Sequence, residues 1–360
     1  MSDAIEAGIL SGIHAAPGLP LGATDPRVRV GMDGDRASVA LTLGYPLAGD
    51  GIEALRAAIA ELLARDGKQL ASLDVRHRIV PHAVQPNLSP LPRIRNILAV
   101  GSGKGGVGKS TTAVNLALAI AAEGARVGVL DADVYGPSIP MMLGLSGRPD
   151  SPDGKSIEPM RAHGVEAMSI GFLVEQDTPM IWRGPMATSA LTQLLTETLW
   201  GSSGDGSLDY LIVDLPPGTG DIQLTLAQKI PVAGAIVVTT PQDVATLDAR
   251  KALKMFEKVQ VPVLGIVENM AVHVCAQCGY SEHLFGHGGG GRMAAQYGVP
   301  LLGSLPLQIA IREQGDAGVP VVIAAPESAA AQAYRRTARQ LVARLAARPR
   351  ASMPIASSLV

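Results

Sequence analysis

Apolar residues follow two rhythms along this chain. Near its start they recur at helical spacing over residues 3–13 and 51–65, while residues 28–30, 38–43 and 73–80 alternate or run briefly as strands do. From about residue 93 the rhythm changes. Short runs that are apolar at nearly every position, at 96–100, 127–130, 210–213, 235–238, 263–267 and 301–302, alternate with helical stretches. A strand apolar on both faces must be covered on both faces, so these runs predict a doubly wound α/β fold with a mostly parallel sheet. Between the two regions Pro81, Pro86, Pro90 and Pro92 interrupt a polar stretch that can propagate neither a helix nor a central strand. The expected division is a small α+β domain over 1–80, a proline-rich linker over 81–92, a large nucleotide-binding domain over 93–347 and a flexible tail over 348–360.

Composition narrows the choice of chemistry. Hydrophobic residues make up 47% of the chain and aromatics only 3%, which suits small-residue helices packed closely on a sheet. A formal net charge of −2 provides no bulk attraction for nucleic acid or an anionic membrane. No apolar run reaches membrane-spanning length, and residues 1–6 lack a basic, apolar leader pattern, so a cytoplasmic protein is expected. The two cysteines lie in a single C-x-x-C, which leaves no disulfide framework and raises a metal or redox role.

The most informative run is Gly103-Lys104-Gly105-Gly106-Val107-Gly108-Lys109-Ser110, placed where the apolar run 96–100 hands over to a helical pattern. Glycines let backbone N–H groups turn inward around phosphate oxygens, Lys109 supplies charge near the β/γ-phosphates, and Ser110 offers a hydroxyl to Mg²⁺. Residues 103–111, closing with Thr111, therefore read as a nucleotide-binding P-loop. Lys104 is an extra lysine that the loop's own nucleotide does not need. It can reach a phosphate held by a second subunit, or be a solvated loop cation.

Acidic strand ends complete the expected site. Asp131 and Asp133 close one apolar run; Asp133 is placed to orient the attacking water and Asp131 to support the metal shell. Asp214 ends another run and fits a Walker-B role on Mg²⁺ through water, with Gly218 and Gly220 giving freedom to a switch segment after it. Asn269, past a later run, can pair with a purine edge, and Pro306 can pack on the ring; a turn asparagine explains the spacing nearly as well.

Cys275 and Cys278 admit three readings. Two chains can each donate both thiolates to a [4Fe–4S] cluster on a twofold axis. Zinc can be bound in the same way, or within one chain together with His283 and His287. The pair can also cycle as a dithiol, although neither cysteine begins a helix that would lower its pKa.

Together, the P-loop, Asp131-Ala132-Asp133-Val134-Tyr135-Gly136-Pro137-Ser138, Trp182-Arg183-Gly184-Pro185, Asp214-Leu215-Pro216-Pro217-Gly218-Thr219-Gly220-Asp221 and Cys275-x-x-Cys278 resemble the Mrp/ApbC family over about residues 93–345. This family comprises iron–sulfur carriers among the MinD-like ATPases with a deviant Walker A loop. The resemblance implies an ATP-sandwich homodimer in which Lys104 crosses to the partner's nucleotide. It implies that Cys275 and Cys278 bridge a labile [4Fe–4S] cluster, received from scaffold or donor proteins and passed to apo-protein acceptors. Residues 1–80 resemble the MIP18-like domain often fused to this family; with Asp25-Pro26 and Leu43-Gly44-Tyr45-Pro46 but no cysteine, they are expected to dock partners rather than bind cluster. A zinc-dimerised targeting ATPase or a MinD/ParA-like positioning ATPase is the competing expectation. For the latter, Tyr334, Leu341, Val342 and Leu345 form an apolar stripe beside Arg335, Arg336, Arg339 and Arg344 that could lie on lipid, or else pack on the sheet with its arginines solvated.

Overall fold

The computed structural model describes residues 2–173, 184–275 and 277–351; Trp182, Arg183 and the tail from residue 352 lie outside them. The first helix, α1 (Ser2–Gly12), is followed by a short hairpin of β1 (His14–Ala16) and β2 (Leu19–Pro20). Then come β3 (Arg27–Asp33), β4 (Arg36–Leu43), α2 (Asp50–Arg65) and β5 (Gln69–His77). They form a three-stranded sheet in the order β3-β4-β5, antiparallel then parallel. One face of β4 buries Ala37, Val39, Leu41 and Leu43 against a helical layer that includes Ile5, Ile9, Ile59 and Leu63.

The large domain begins with β6 (Ile94–Ser102), α3 (Lys109–Ala122), β7 (Val127–Asp131), the one-turn α4 (Ile139–Met142), β8 (Met160–Ala162) and β9 (Val165–Ser169). It continues through α5 (Gly184–Glu197), β10 (Leu208–Asp214), α6 (Asp221–Lys229), β11 (Gly234–Thr239), α7 (Asp243–Lys258) and β12 (Val263–Glu268). A small antiparallel hairpin, β13 (His273–Val274) with β14 (Ser281–Glu282), precedes α8 (Gly289–Tyr297), β15 (Leu301–Ser304), α9 (Ile309–Asp316), α10 (Val321–Ala324) and α11 (Ala329–Ala346). The main sheet runs β15-β12-β11-β6-β10-β7-β9-β8, parallel throughout except at β8, as the apolar runs predict.

Strand β9 departs from the apolar-run pattern because its second residue is Glu166. That carboxylate is buried by accepting hydrogen bonds from Gly201 N at 2.7 Å and Ser203 Oγ at 2.7 Å, so the interruption of polarity is satisfied locally. The 81–92 stretch is pinned to the large domain. His82 N donates to Asn96 Oδ1 at 3.0 Å, and buried Gln85 donates to the carbonyls of Ala227 and Ile230 while accepting from Val232 N. Ala83 N and Ala351 N reach the carbonyls of Pro349 and Pro81, joining entry and exit of the domain.

Helix α11 also departs from the expected picture. Tyr334, Leu341, Val342 and Leu345 are buried in the core, so the stripe is not available to lipid. Two of the arginines expected in solvent, Arg335 and Arg339, instead converge on Glu123, which follows α3 and is 1% exposed. Glu123 also accepts from Ala48 N at 2.7 Å, and Arg339 pairs with Asp50 at the start of α2. Among the described residues, no helix is long and apolar enough to cross a membrane.

Candidate functional site

The phosphate loop leaves β6 at the carboxyl edge of the sheet and enters α3 at Lys109. Gly106 and Gly108 hold φ of +79° and +78°, a region where a side chain would strain the backbone. At Gly103 the constraint is contact: a Cβ there would lie 2.0 Å from the backbone carbon of Asp248 on α7. The loop is thus clamped from both sides. Val107 is buried, and its carbonyl accepts a 2.9 Å hydrogen bond from Asn269 Nδ2.

Inside the loop the charges are already paired. Lys109 Nζ stands 2.7 Å from Asp214 Oδ1 and 3.5 Å from Asp133 Oδ2, and Ser110 Oγ lies 2.5 Å from Asp214 Oδ2. Asp214 is fully buried, and desolvation pushes its carboxyl upward against the pull of Lys109 and Ser110. Ser110 and Asp214 are hard oxygen donors side by side, the kind of set Mg²⁺ takes with a nucleotide. Asp131 does something else. Its carboxylate accepts from Asp133 N at 3.1 Å, Ile139 N at 3.1 Å and Ser169 Oγ at 3.1 Å, so it holds the loop after β7 rather than facing a metal shell. Burial and the nearby Asp214 raise its pKa to about 7. Ser169, at the end of β9, was not legible as a site residue because its partner is 38 positions away.

Lys104 is half-buried and makes no ion pair among the described residues. Thr111, Asn269 and Pro306 line one cavity of about 310 Å³ with Gly108, Met142 and Ile311, beside the phosphate loop. Its mixed apolar and amide lining suits a flat heteroaromatic ring. Asn269 sits at its wall, with one amide N–H committed to Val107.

Cys275 and Cys278 stand six and nine residues beyond Asn269. The chain from Asn269 to Cys275 is tied strand-like to the segment after β15: Ala271 N donates to Leu305 O, and Leu307 N to Val272 O. Cys275 N then donates to Tyr280 O, Gly279 N returns to Cys275 O, and Gly279 turns at φ +72°. Both cysteines are free; Cys275 is half-buried and Cys278 exposed. Backbone N–H groups of Cys278 and Gln277 lower the Cys275 thiol pKa, a thiolate-stabilising device that needs no helix start. His283 Nδ1 bonds Ala271 O at 2.7 Å and its ring stands edge-on to His287, while His273 pairs with Glu282. Among the described residues no three His, Cys, Asp or Glu side chains are grouped as metal ligands.

A clamped glycine loop, a paired lysine, an acidic strand end and a ring-sized cavity at the carboxyl edge of a parallel sheet define a P-loop NTPase. Residues 93–342 match the family model ParA, described as NUBPL iron-transfer P-loop NTPase, and the chain belongs to this family. It is 57% identical over 286 residues to an iron-sulfur cluster carrier protein of Pseudomonas fragi, covering 79% of this chain and 97% of the relative. It is 47% identical over 285 residues to the iron-sulfur cluster transfer protein NUBPL of Mus musculus, covering 79% and 88%. Among solved structures, a nucleotide-binding protein of Archaeoglobus fulgidus in complex with ADP superposes with a TM-score of 0.55 at 39% identity, over 62% of this chain and 87% of that one. The septum site-determining protein MinD of Pyrococcus horikoshii, at 23% identity and a TM-score of 0.50, shares the fold over 68% of this chain and 94% of that one.

Proposed function

We propose that this chain is an ATP-hydrolysing iron–sulfur cluster carrier, in which Cys275 and Cys278 of two chains hold a labile [4Fe–4S] cluster as cargo and release it to apo-proteins. The observation that carries this reading is the six-residue connection from Asn269, bonded to the phosphate loop, to the thiolate-favouring turn at Cys275. A change at the loop is thereby passed to the base of the cysteine hairpin. The names of the bacterial and mouse relatives support iron–sulfur cargo over zinc.

In this reading the loop amides and Lys109 bind the phosphates of ATP, while Ser110, and Asp214 through water, would hold Mg²⁺, which supplies charge neutralisation there. Asp133, beside Lys109 and 8% exposed, orients the attacking water. Asn269 and the cavity it lines receive the purine. Lys104 crosses to the nucleotide of a second copy, so hydrolysis requires the homodimer that also shares the cluster.

Anaerobic reconstitution with iron and sulfide tests the cargo. A brown protein with about two iron atoms per chain is expected, absent in Cys275→Ala and Cys278→Ala. A colourless protein that takes zinc and rejects iron would sink the reading.

A further inference from the structure

The sheet β3-β4-β5 is covered on one side only. Alternation sends Val28, Val30, Val39, Leu41 and Val75 toward the helical layer, and the opposite positions are left in solvent. Register fixes what that bare side displays. Arg27, Thr42 and Arg76 form one cross-strand row, Arg29, Ala40 and Asp74 the next, then Gly31, Ser38 and Ser72, with Asp33 beside Arg36 at the end. Four arginines thus face two carboxylates. Asp74 is paired with Arg76 at 3.0 Å, whereas Arg27, Arg29 and Arg36 have no ion-pair partner among the described residues.

We propose that this face docks an acidic segment of a partner protein. If the carrier function above holds, such a partner is a cluster donor or acceptor. The small central residues Gly31, Ser38, Ala40 and Ser72 allow a partner's backbone to come close, while the guanidinium forks beside them match carboxylates two-pronged. Nucleic acid fits less well, because the face carries no aromatic ring for base stacking and the chain's net charge is −2. A membrane fits less well because no apolar anchor projects from it. The face is also not on a loose appendage. Asp50 and Ala48, of the same module, are bonded to Arg339 and Glu123, which places a docked partner at a set position relative to the helix that begins in the phosphate loop.

The test uses the full chain, free of metal and nucleotide, and a fluorescein-labelled dodecapeptide rich in glutamate, read by anisotropy at low and moderate salt. The triple variant Arg27→Glu/Arg29→Glu/Arg76→Glu should bind at least tenfold more weakly than wild type. A control triple with the same charge change, Arg56→Glu/Arg65→Glu/Lys254→Glu, should stay within twofold. Unlabelled oligothymidylate and phosphatidylserine vesicles should not compete. Equal loss in both triples, no binding by wild type, or stronger competition by oligonucleotide or vesicle would overturn the proposal. Because no iron is present, the two readings fail separately: failed iron uptake counts against the carrier function, failed peptide binding against the docking face.

Discussion

Glu123 and Arg339 meet across 216 residues of sequence, with Arg339 Nε donating to Glu123 Oε1 at 2.9 Å in a nearly dry setting. The carboxylate also takes Arg335 and the backbone N–H of Ala48, so one residue after the phosphate-loop helix holds both α11 and the N-terminal module. Removing it leaves two guanidinium groups partly buried without their shared partner. Glu123→Ala should therefore lower unfolding free energy by about 3–5 kcal/mol. Urea denaturation followed by circular dichroism measures this, and a loss below 1 kcal/mol would mean the ion cluster is solvated.

The outer edge of the same cluster is sensitive to acid. Arg339 holds Asp50 down to a pKa of about 2, below its ordinary 3.8. A depressed carboxylate contributes stability that is complete above the unfolded value and is lost as pH falls through the folded one. Protection of α2 against hydrogen exchange should thus weaken from about pH 4 toward pH 2, and Asp50→Asn should flatten that part of the profile. Half-exposure of Asp50 keeps the effect small.

Asp131 has the opposite sign. Its pKa of about 7 means the folded state holds a proton that the unfolded chain releases near pH 4, so its contribution to stability declines as pH rises from 4 to 7. In the nucleotide-free protein, Asp131→Asn should remove up to about 1.4 kcal/mol per pH unit of that decline. Thermal unfolding at a series of pH values checks it; an unchanged slope would place the proton elsewhere.

Three substitutions, one of a glycine and two of lysines, separate binding from turnover. Gly103→Ala drives a methyl into the backbone of Asp248 and should abolish nucleotide binding, as should Lys109→Ala. Lys104→Ala should keep nucleotide affinity within about threefold, roughly 0.7 kcal/mol, yet lose most hydrolysis. Filter binding and phosphate release make the comparison. Undiminished turnover in Lys104→Ala would remove the cross-subunit role.

The thiol of Cys275 should be the more reactive of the pair. Backbone N–H groups of the turn stabilise its thiolate, so alkylation of reduced, metal-free protein should proceed with a midpoint below the ordinary value of about 8.5. Peptide mapping after brief iodoacetamide treatment measures this; faster labelling of Cys278 would contradict it.

Much of the fold was legible because the strands β6, β7, β10, β11 and β12 are buried on both faces and carry nearly unbroken apolar runs. The phosphate loop was legible because its chemistry is contiguous. What escaped depends on distant partners. Glu166 disguises β9 by placing a carboxylate inside it, and Ser169 reaches Asp131 only across 38 positions of sequence. The arginines of α11 read as a solvated face because Glu123 lies more than 200 positions away. Asp131 and Asp133 look alike in sequence, and only the loop's path shows that one faces backbone amides and the other Lys109.

The ties of Pro81 and Ala83 to Ala351 and Pro349, and of His82 to Asn96 near the start of β6, bring the chain into and out of the large domain at the amino ends of its strands. Phosphate loop, Asp214 and the hairpin after β12 all belong to the opposite pole. A tag or fused domain attached through either connection is therefore anchored behind the sheet, at the pole away from the phosphate loop and the cysteine hairpin.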